Sequence, residues 1–354
     1  MIANSFTAIR GEAVGGPFEA LLLILVAIFS FFKLLNNEKV NYLFLIPFLF
    51  LVFFMAPLTF ANSFSGLMGS DIRTLVALMY VSLIAFPIAH SSIEEQKFIA
   101  YGAAGVLLLT FILALIIEID LNNLSRLVLF SNNPNQIALY SLCSLFLIAR
   151  AVKQTILSII LCLPALFYGL LSLSDTYILS LSIIFFFICL QYLAKGKYLM
   201  ILLIAWIISG ITFWIILTNF TALSSLIDIW AAADEGNTRI NLALNGFQAF
   251  LQSPIFGYGA GAFSGPEFPM MGMEAHNTVI DFLTMGGVIW VLIFYTPFII
   301  AILSFFKERE IVFAGILISI LVFSIFHFIG RHPVIWFLYA ICISSIFKKQ
   351  KQEI

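Results

Sequence analysis

The chain has 354 residues, 62% of them hydrophobic and 10% charged, with a mean hydropathy of +1.10. Soluble proteins carry about 25% charged residues, so a soluble enzyme, a secreted domain and a disordered chain are all excluded. The net charge of −1 leaves no basic excess for nucleic acid. Cys143, Cys162, Cys189 and Cys342 lie inside apolar runs and read as buried thiols, not disulfide or metal ligands.

A membrane-crossing helix needs about 20 mostly apolar residues. In chain order, the runs 18–35, 40–60, 72–90, 98–117, 135–150, 153–173, 175–194, 198–218, 278–306, 311–329 and 333–347 predict about eleven spans. The runs are continuous, where strands of a membrane barrel would alternate. The expected fold is therefore all-α, a polytopic transmembrane helix bundle with residues 1–354 as one integral membrane domain. The first run does not read as a cleavable signal, since no small-x-small site follows it.

With the loop after the first span inside, all ten Lys fall on the inner side, joined by Arg150 and Arg309. This is a positive-inside pattern, with the N-terminus outside and the C-terminus cytoplasmic. The five outer cations are all arginines: Arg10, Arg73, Arg126, Arg239 and Arg331. An Arg fork suits bidentate binding of carboxylate or phosphate, which a Lys point charge does not. The bland reading is interfacial placement or local pairing, of Arg10 beside Glu12 and of Arg73 with Asp71.

Most connections are short. One, 219–277, is long, and long loops in compact proteins are usually functional. After the capping candidates Asn237 and Thr238, the apolar residues Ile240, Ala243, Leu244, Phe247, Phe250 and Leu251 recur at helical spacing. This predicts an amphipathic helix on the membrane surface, with Arg239 in its first turn and Asn241, Asn245, Gln248 and Gln252 as polar companions. Pro254 ends it, and Gly257, Gly259 and Gly261 predict a tight turn. His276 then stands at the N-terminal end of a long apolar span, where the helix dipole disfavours imidazolium and keeps the ring neutral, as a base must be. A capping role for His276 with Asn277 is the equal alternative. Arg331 and His332 share a short turn between two spans, with His327 on the preceding helix; snorkelling to the interface is the competing account.

Taken together, several segments resemble the O-antigen ligase and O-antigen polymerase superfamily of bacterial membrane glycosyltransferases. They are Arg239 with its helix, "SPIFGYGAGAF" (253–263), "EAHNTVIDFLTMGGVIW" (274–290), "RHPVIW" (331–336) and "NPNQIAL" (133–139). The resemblance covers about 130–340, and it lies in order and spacing more than in any one piece. It implies an inner-membrane enzyme that transfers glycan from undecaprenyl diphosphate, on the outer face, to lipid A-core (ligase) or to another lipid-linked glycan (polymerase). Under that resemblance Arg239 and His276 are the catalytic pair, and Arg239, Arg331 and Arg126 are the diphosphate-binding candidates. Glu274, Asn277, Asp281 and His332 support them. No metal or other cofactor is expected, and the transfer is expected to invert the anomeric centre. Asp175 stands where the family often has an Arg, which removes one expected phosphate contact. The rival class is a lipid-glycan flippase or small-solute transporter, which would show paired repeats and broken helices; no repeat is visible between the halves.

Overall fold

The computed structural model describes residues 45–65, 70–89, 93–117, 133–152, 155–172, 174–193, 235–265 and 271–350, together with positions 24, 28, 31 and 32. The predicted span 198–218, and Arg10, Arg126 and the first part of the long loop, lie outside the described residues. Ten helices follow one another among the described residues: α1 (Ile46–Ser65), α2 (Ile72–Ala89), α3 (Ile93–Ile117), α4 (Pro134–Ala151), α5 (Thr155–Leu171), α6 (Asp175–Leu193), α7 (Glu235–Gln252), α8 (Thr278–Lys307), α9 (Ile311–Phe326) and α10 (Pro333–Gln350). No strand occurs among the described residues. Four helices are long and apolar enough to cross a membrane: α1, the stretch Glu94–Leu113 of α3, α6 and α8. The shorter apolar stretches Ile72–Ile88, Ile156–Leu171, Ile311–Phe326 and Pro333–Ser344 accompany them.

Local chemistry sets the helix starts. The Asn133 side chain accepts the Asn135 N–H at 2.9 Å, and Pro134, which has no N–H to satisfy, follows at the first helical position of α4. Asn277 caps α8 by accepting from Val279 N and Ile280 N. Asp71, expected to pair with Arg73, instead caps α2, accepting the backbone N–H groups of Arg73 and Thr74.

The bundle packs α6 on α9, α4 on α5, α10 on α2, and α8 on both α9 and α10. Its centre is aromatic. Phe282, Trp290, Phe294, Phe298, Trp336 and Tyr339 are nearly fully buried, with Phe282 and Phe294 4.9 Å apart and Phe294 and Trp336 5.5 Å apart. In lipid such packing is driven by van der Waals contact and not by exclusion of water. Small residues permit the close approaches: a Cβ at Gly315 of α9 would stand 2.4 Å from Phe187 of α6.

Helix α8 is broken. Gly287 has φ +65 and ψ −166, a conformation only glycine tolerates well. The interrupted backbone bonds are replaced by a loop: Tyr258 N–H donates to Thr284 O at 2.9 Å, Gly259 N–H to Met285 O at 2.8 Å, and Val288 N–H to Pro254 O at 2.8 Å. Non-helical backbone at membrane depth needs such partners within the protein. The glycines expected to form a tight turn, Gly257, Gly259 and Gly261, all have positive φ and make this insert.

Helix α7 begins at Glu235, so Arg239 lies one turn further in than expected. Its protein-facing side is Leu242, Asn245 and Ala249, all buried, while Ile240, Leu244, Phe247 and Leu251 form an exposed apolar stripe. Asn245, expected on the polar face, is inside because Gly246 and Ala249 beside it allow α8 and residue 265 to come close. The stripe is the side expected to meet lipid.

Candidate functional site

The turn from α9 to α10, residues 327–332, is fixed by its neighbours. His327 has extended backbone and ends α9, so it is not on the helix as expected from the sequence. Thr278, the first residue of α8, donates its hydroxyl to His327 O at 2.6 Å and accepts Ile329 N–H at 2.9 Å. The Trp336 indole donates to Gly330 O at 2.7 Å. Phe328 packs edge-on against Phe282 and Phe263. Arg331 projects from this frame with its guanidinium 5.8 Å from the centre of the Phe328 ring.

The segment before α8 is held equally firmly. The fully buried Asp281 accepts the Ala275 N–H at 2.9 Å, and Asn277 caps the helix. Between them His276 adopts φ +53, a left-handed conformation that costs about 1–2 kcal/mol for a side chain of this kind. Strain kept between two such anchors is a mark of functional placement. Glu274 links the two segments: its Oε1 accepts from Arg331 Nη1, and its Oε2 lies 4.0 Å from His276 Nδ1. The Arg331 Nε is buried with no hydrogen-bond partner, so this guanidinium has donor capacity left over.

These groups form one wall of a cleft of about 340 Å³, its open mouth included. The start of α4 lines it as well, with Asn133, Asn135 and Gln136. Ser174, just before α6, donates to Asn135 Oδ1 at 2.7 Å. Phe323, Leu139 and Phe328 supply apolar surface. The N-terminal ends of α4, α8 and α10 all border the cleft, and that of α6 adjoins it through Ser174. Positive dipole ends, combined with an arginine, make the cleft a place for an anion.

Two further histidines tune it. His327 Nε2 lies 3.1 Å from the Thr176 hydroxyl. Burial first, then the charges of Arg239 and of a protonated His276, together lower its pKa from 6.5 to about 4. Burial also pushes His332 well below its ordinary value, with the charge of Arg331 acting in the same direction. Both rings are neutral near pH 7. His332 meets the Tyr140 ring edge-on at 6.0 Å.

Of the residues singled out in the sequence, His276, Glu274, Arg331 and His332 line the cleft. Asn277 and Asp281 act on its backbone. Arg239 is exposed on α7, within electrostatic reach of His327 but not in the cleft wall. Asp175 is exposed at the start of α6. His327, noted beside Arg331, and Asn133, Asn135 and Gln136, within the 133–139 segment of the resemblance, also line the cleft, while Ser174 and Thr176 carried no signal in the sequence. The Asn-Pro-Asn run is a helix-start signature and offered the signal for Asn133. Among the described residues no group of three His, Cys, Asp or Glu side chains is arranged to hold a metal ion. No family model matches the chain, and no curated protein matches it in sequence.

Proposed function

We propose that the chain is a bacterial inner-membrane glycosyltransferase of the O-antigen ligase or polymerase kind, acting on undecaprenyl-diphosphate-linked glycan at the outer face. In this reading it crosses the membrane about eleven times, and the loop 219–277, the α4 start and the 327–332 turn face outside together. The observation that carries the reading is one cleft wall holding Arg331, Glu274 and His276, which the sequence separates by up to 57 residues.

The chemistry follows from the placement. An acceptor hydroxyl, on lipid A-core or on a second lipid-linked glycan, attacks the anomeric carbon from the face opposite the diphosphate. The new C–O bond forms as the bond to the diphosphate oxygen breaks, which inverts the centre. The hydroxyl proton passes to the neutral His276 ring, a role that contributes roughly 10²–10⁴-fold. Arg331 and the helix N-termini receive the charge that grows on the leaving diphosphate, where fixed donors matter most. Arg239, on the surface helix, meets the outer part of the same anion. The apolar stripe of α7 lies in the lipid interface and sets the height of Arg239.

The transporter reading draws on the break at Gly287, since broken helices mark many transporters. In those folds the freed backbone groups meet an ion or substrate. Here Tyr258, Gly259 and Pro254 occupy them, which favours the enzyme.

The test uses membranes supplied with lipid-linked glycan and acceptor. Arg239→Ala, His276→Ala and Arg331→Ala should each abolish transfer in protein that still inserts. Full activity in any of them removes that residue from the mechanism. Movement of glycan across the membrane without any new glycosidic bond would establish the transporter instead.

A further inference from the structure

Glu274 sits between a cation and a ring nitrogen, and it serves each with a different oxygen. Oε1 accepts from Arg331, while Oε2 stands 4.0 Å from His276 Nδ1, outside hydrogen-bond range. The backbone that follows it is pinned on either side of His276, at Ala275 by Asp281 and at Asn277 by the cap of α8. The Glu274 side chain is the part of this link that can turn without moving either anchor. Its carboxylate occupies part of the same guanidinium that an incoming phosphate would use, and the buried Arg331 Nε behind it has no hydrogen-bond partner.

We propose that Glu274 is an exchange residue: an anion arriving on Arg331 displaces its carboxylate, which then turns to His276 Nδ1. This deepens the functional reading above and rests on it. Displacement costs the anion one charged hydrogen bond, so Glu274 weakens anion binding. In return His276 donates its Nδ1–H to Glu274, which fixes the tautomer with Nε2 free to accept a proton and makes that nitrogen more basic. No proton leaves Arg331 in the exchange, and the one proton on the neutral ring settles on Nδ1. Glu274 thus reaches the ring only when the anion is in place. Glu274 is a positioning residue for His276, and the geometry couples occupancy of one group to the readiness of another 55 residues away in the chain.

The test pairs binding with catalysis in lipid nanodiscs, using the full chain and inorganic pyrophosphate as the probe. Glu274→Gln keeps the shape and removes the charge. It should bind pyrophosphate at least about tenfold more tightly by calorimetry, the factor carried by about one charged hydrogen bond. In glycan transfer it should lower KM for the lipid donor and lower kcat at least about tenfold. A merely structural role would worsen both. With ¹⁵N-labelled histidine, pyrophosphate should shift His276 to the Nδ1–H form in the native chain and leave it unshifted in Glu274→Gln. Unchanged or weaker pyrophosphate binding in Glu274→Gln overturns the exchange, as does a tautomer shift that persists in that variant. A native chain that takes up no pyrophosphate removes the anion site and the exchange together. Tighter binding and the tautomer shift in a chain that transfers no glycan uphold the exchange and remove only the glycosyl reaction.

Discussion

Replacement of Gly287 by Ala tests the broken helix most directly. A Cβ there would stand 2.2 Å from the Ile255 carbonyl oxygen and 2.6 Å from Phe256 N. These are backbone atoms and cannot swing aside. The φ/ψ region costs a side chain about 1–3 kcal/mol on its own. Relief of the clash must move the 254–259 insert and strain the three backbone hydrogen bonds it makes to α8. At about 1 kcal/mol each, these bring the expected loss to roughly 5 kcal/mol, beyond the range of most single substitutions. The assay is thermal unfolding in detergent, followed by intrinsic fluorescence of the five tryptophans. Gly102→Ala, a helical position with open space around it, is the matched control and should be neutral or slightly stabilising. Equal melting temperatures for Gly287→Ala and the native chain would refute the account of the insert.

Three further outcomes are expected. The folded pKa of His327 lies below its ordinary 6.5, at about 4, so the unfolded chain takes up more protons between those values. Stability is then full above about pH 6.5 and falls as pH drops toward 4, by about 3 kcal/mol from this ring. His327→Gln should flatten the pH dependence of the melting temperature in that window, while His332 retains its own share. Asn277→Ala removes the cap of α8 and should cost about 1 kcal/mol, with Asn277→Asp restoring most of it by the same melting assay. Asp281→Asn keeps an acceptor for the Ala275 N–H and should retain more transfer activity than Asp281→Ala, which releases the His276 turn; equal activities would show that the pin does not matter.

Helices at nine of the eleven predicted spans are legible from hydropathy, because a continuous apolar run has few other readings. Their starts are legible too where the signal is local, as with Asn277 before α8. The break in α8 is not legible in the sequence, although Gly286 and Gly287 stand together inside an apolar run. Hydropathy is blind to φ, and the partners that satisfy the break lie 26 to 34 residues upstream of the groups they meet. In the site, His276 and Arg331 stood out one at a time as rare polar residues next to spans. Their connection through Glu274 depends on α8 and α10 packing side by side, which no spacing encodes. Asn135 and Ser174 meet for the same reason: two helix starts are brought together by the bundle. The side of α7 that faces inward was misjudged at Asn245 because small neighbours, not polarity, decide which face can approach.

The interruption at Gly287 also divides labour within one helix. The stretch after it, about 20 residues and about 30 Å long, is enough by itself to match the thickness of a hydrocarbon layer. The short stretch before it is relieved of that duty. It can therefore carry Asp281 and Thr284, both fully buried, and present the His276 turn without shortening the apolar length of the chain. Substitutions at the end that bears the His276 turn need not disturb how deeply the protein sits. Changes in membrane thickness can likewise be absorbed below the joint, so the cleft and the anchorage are free to vary separately.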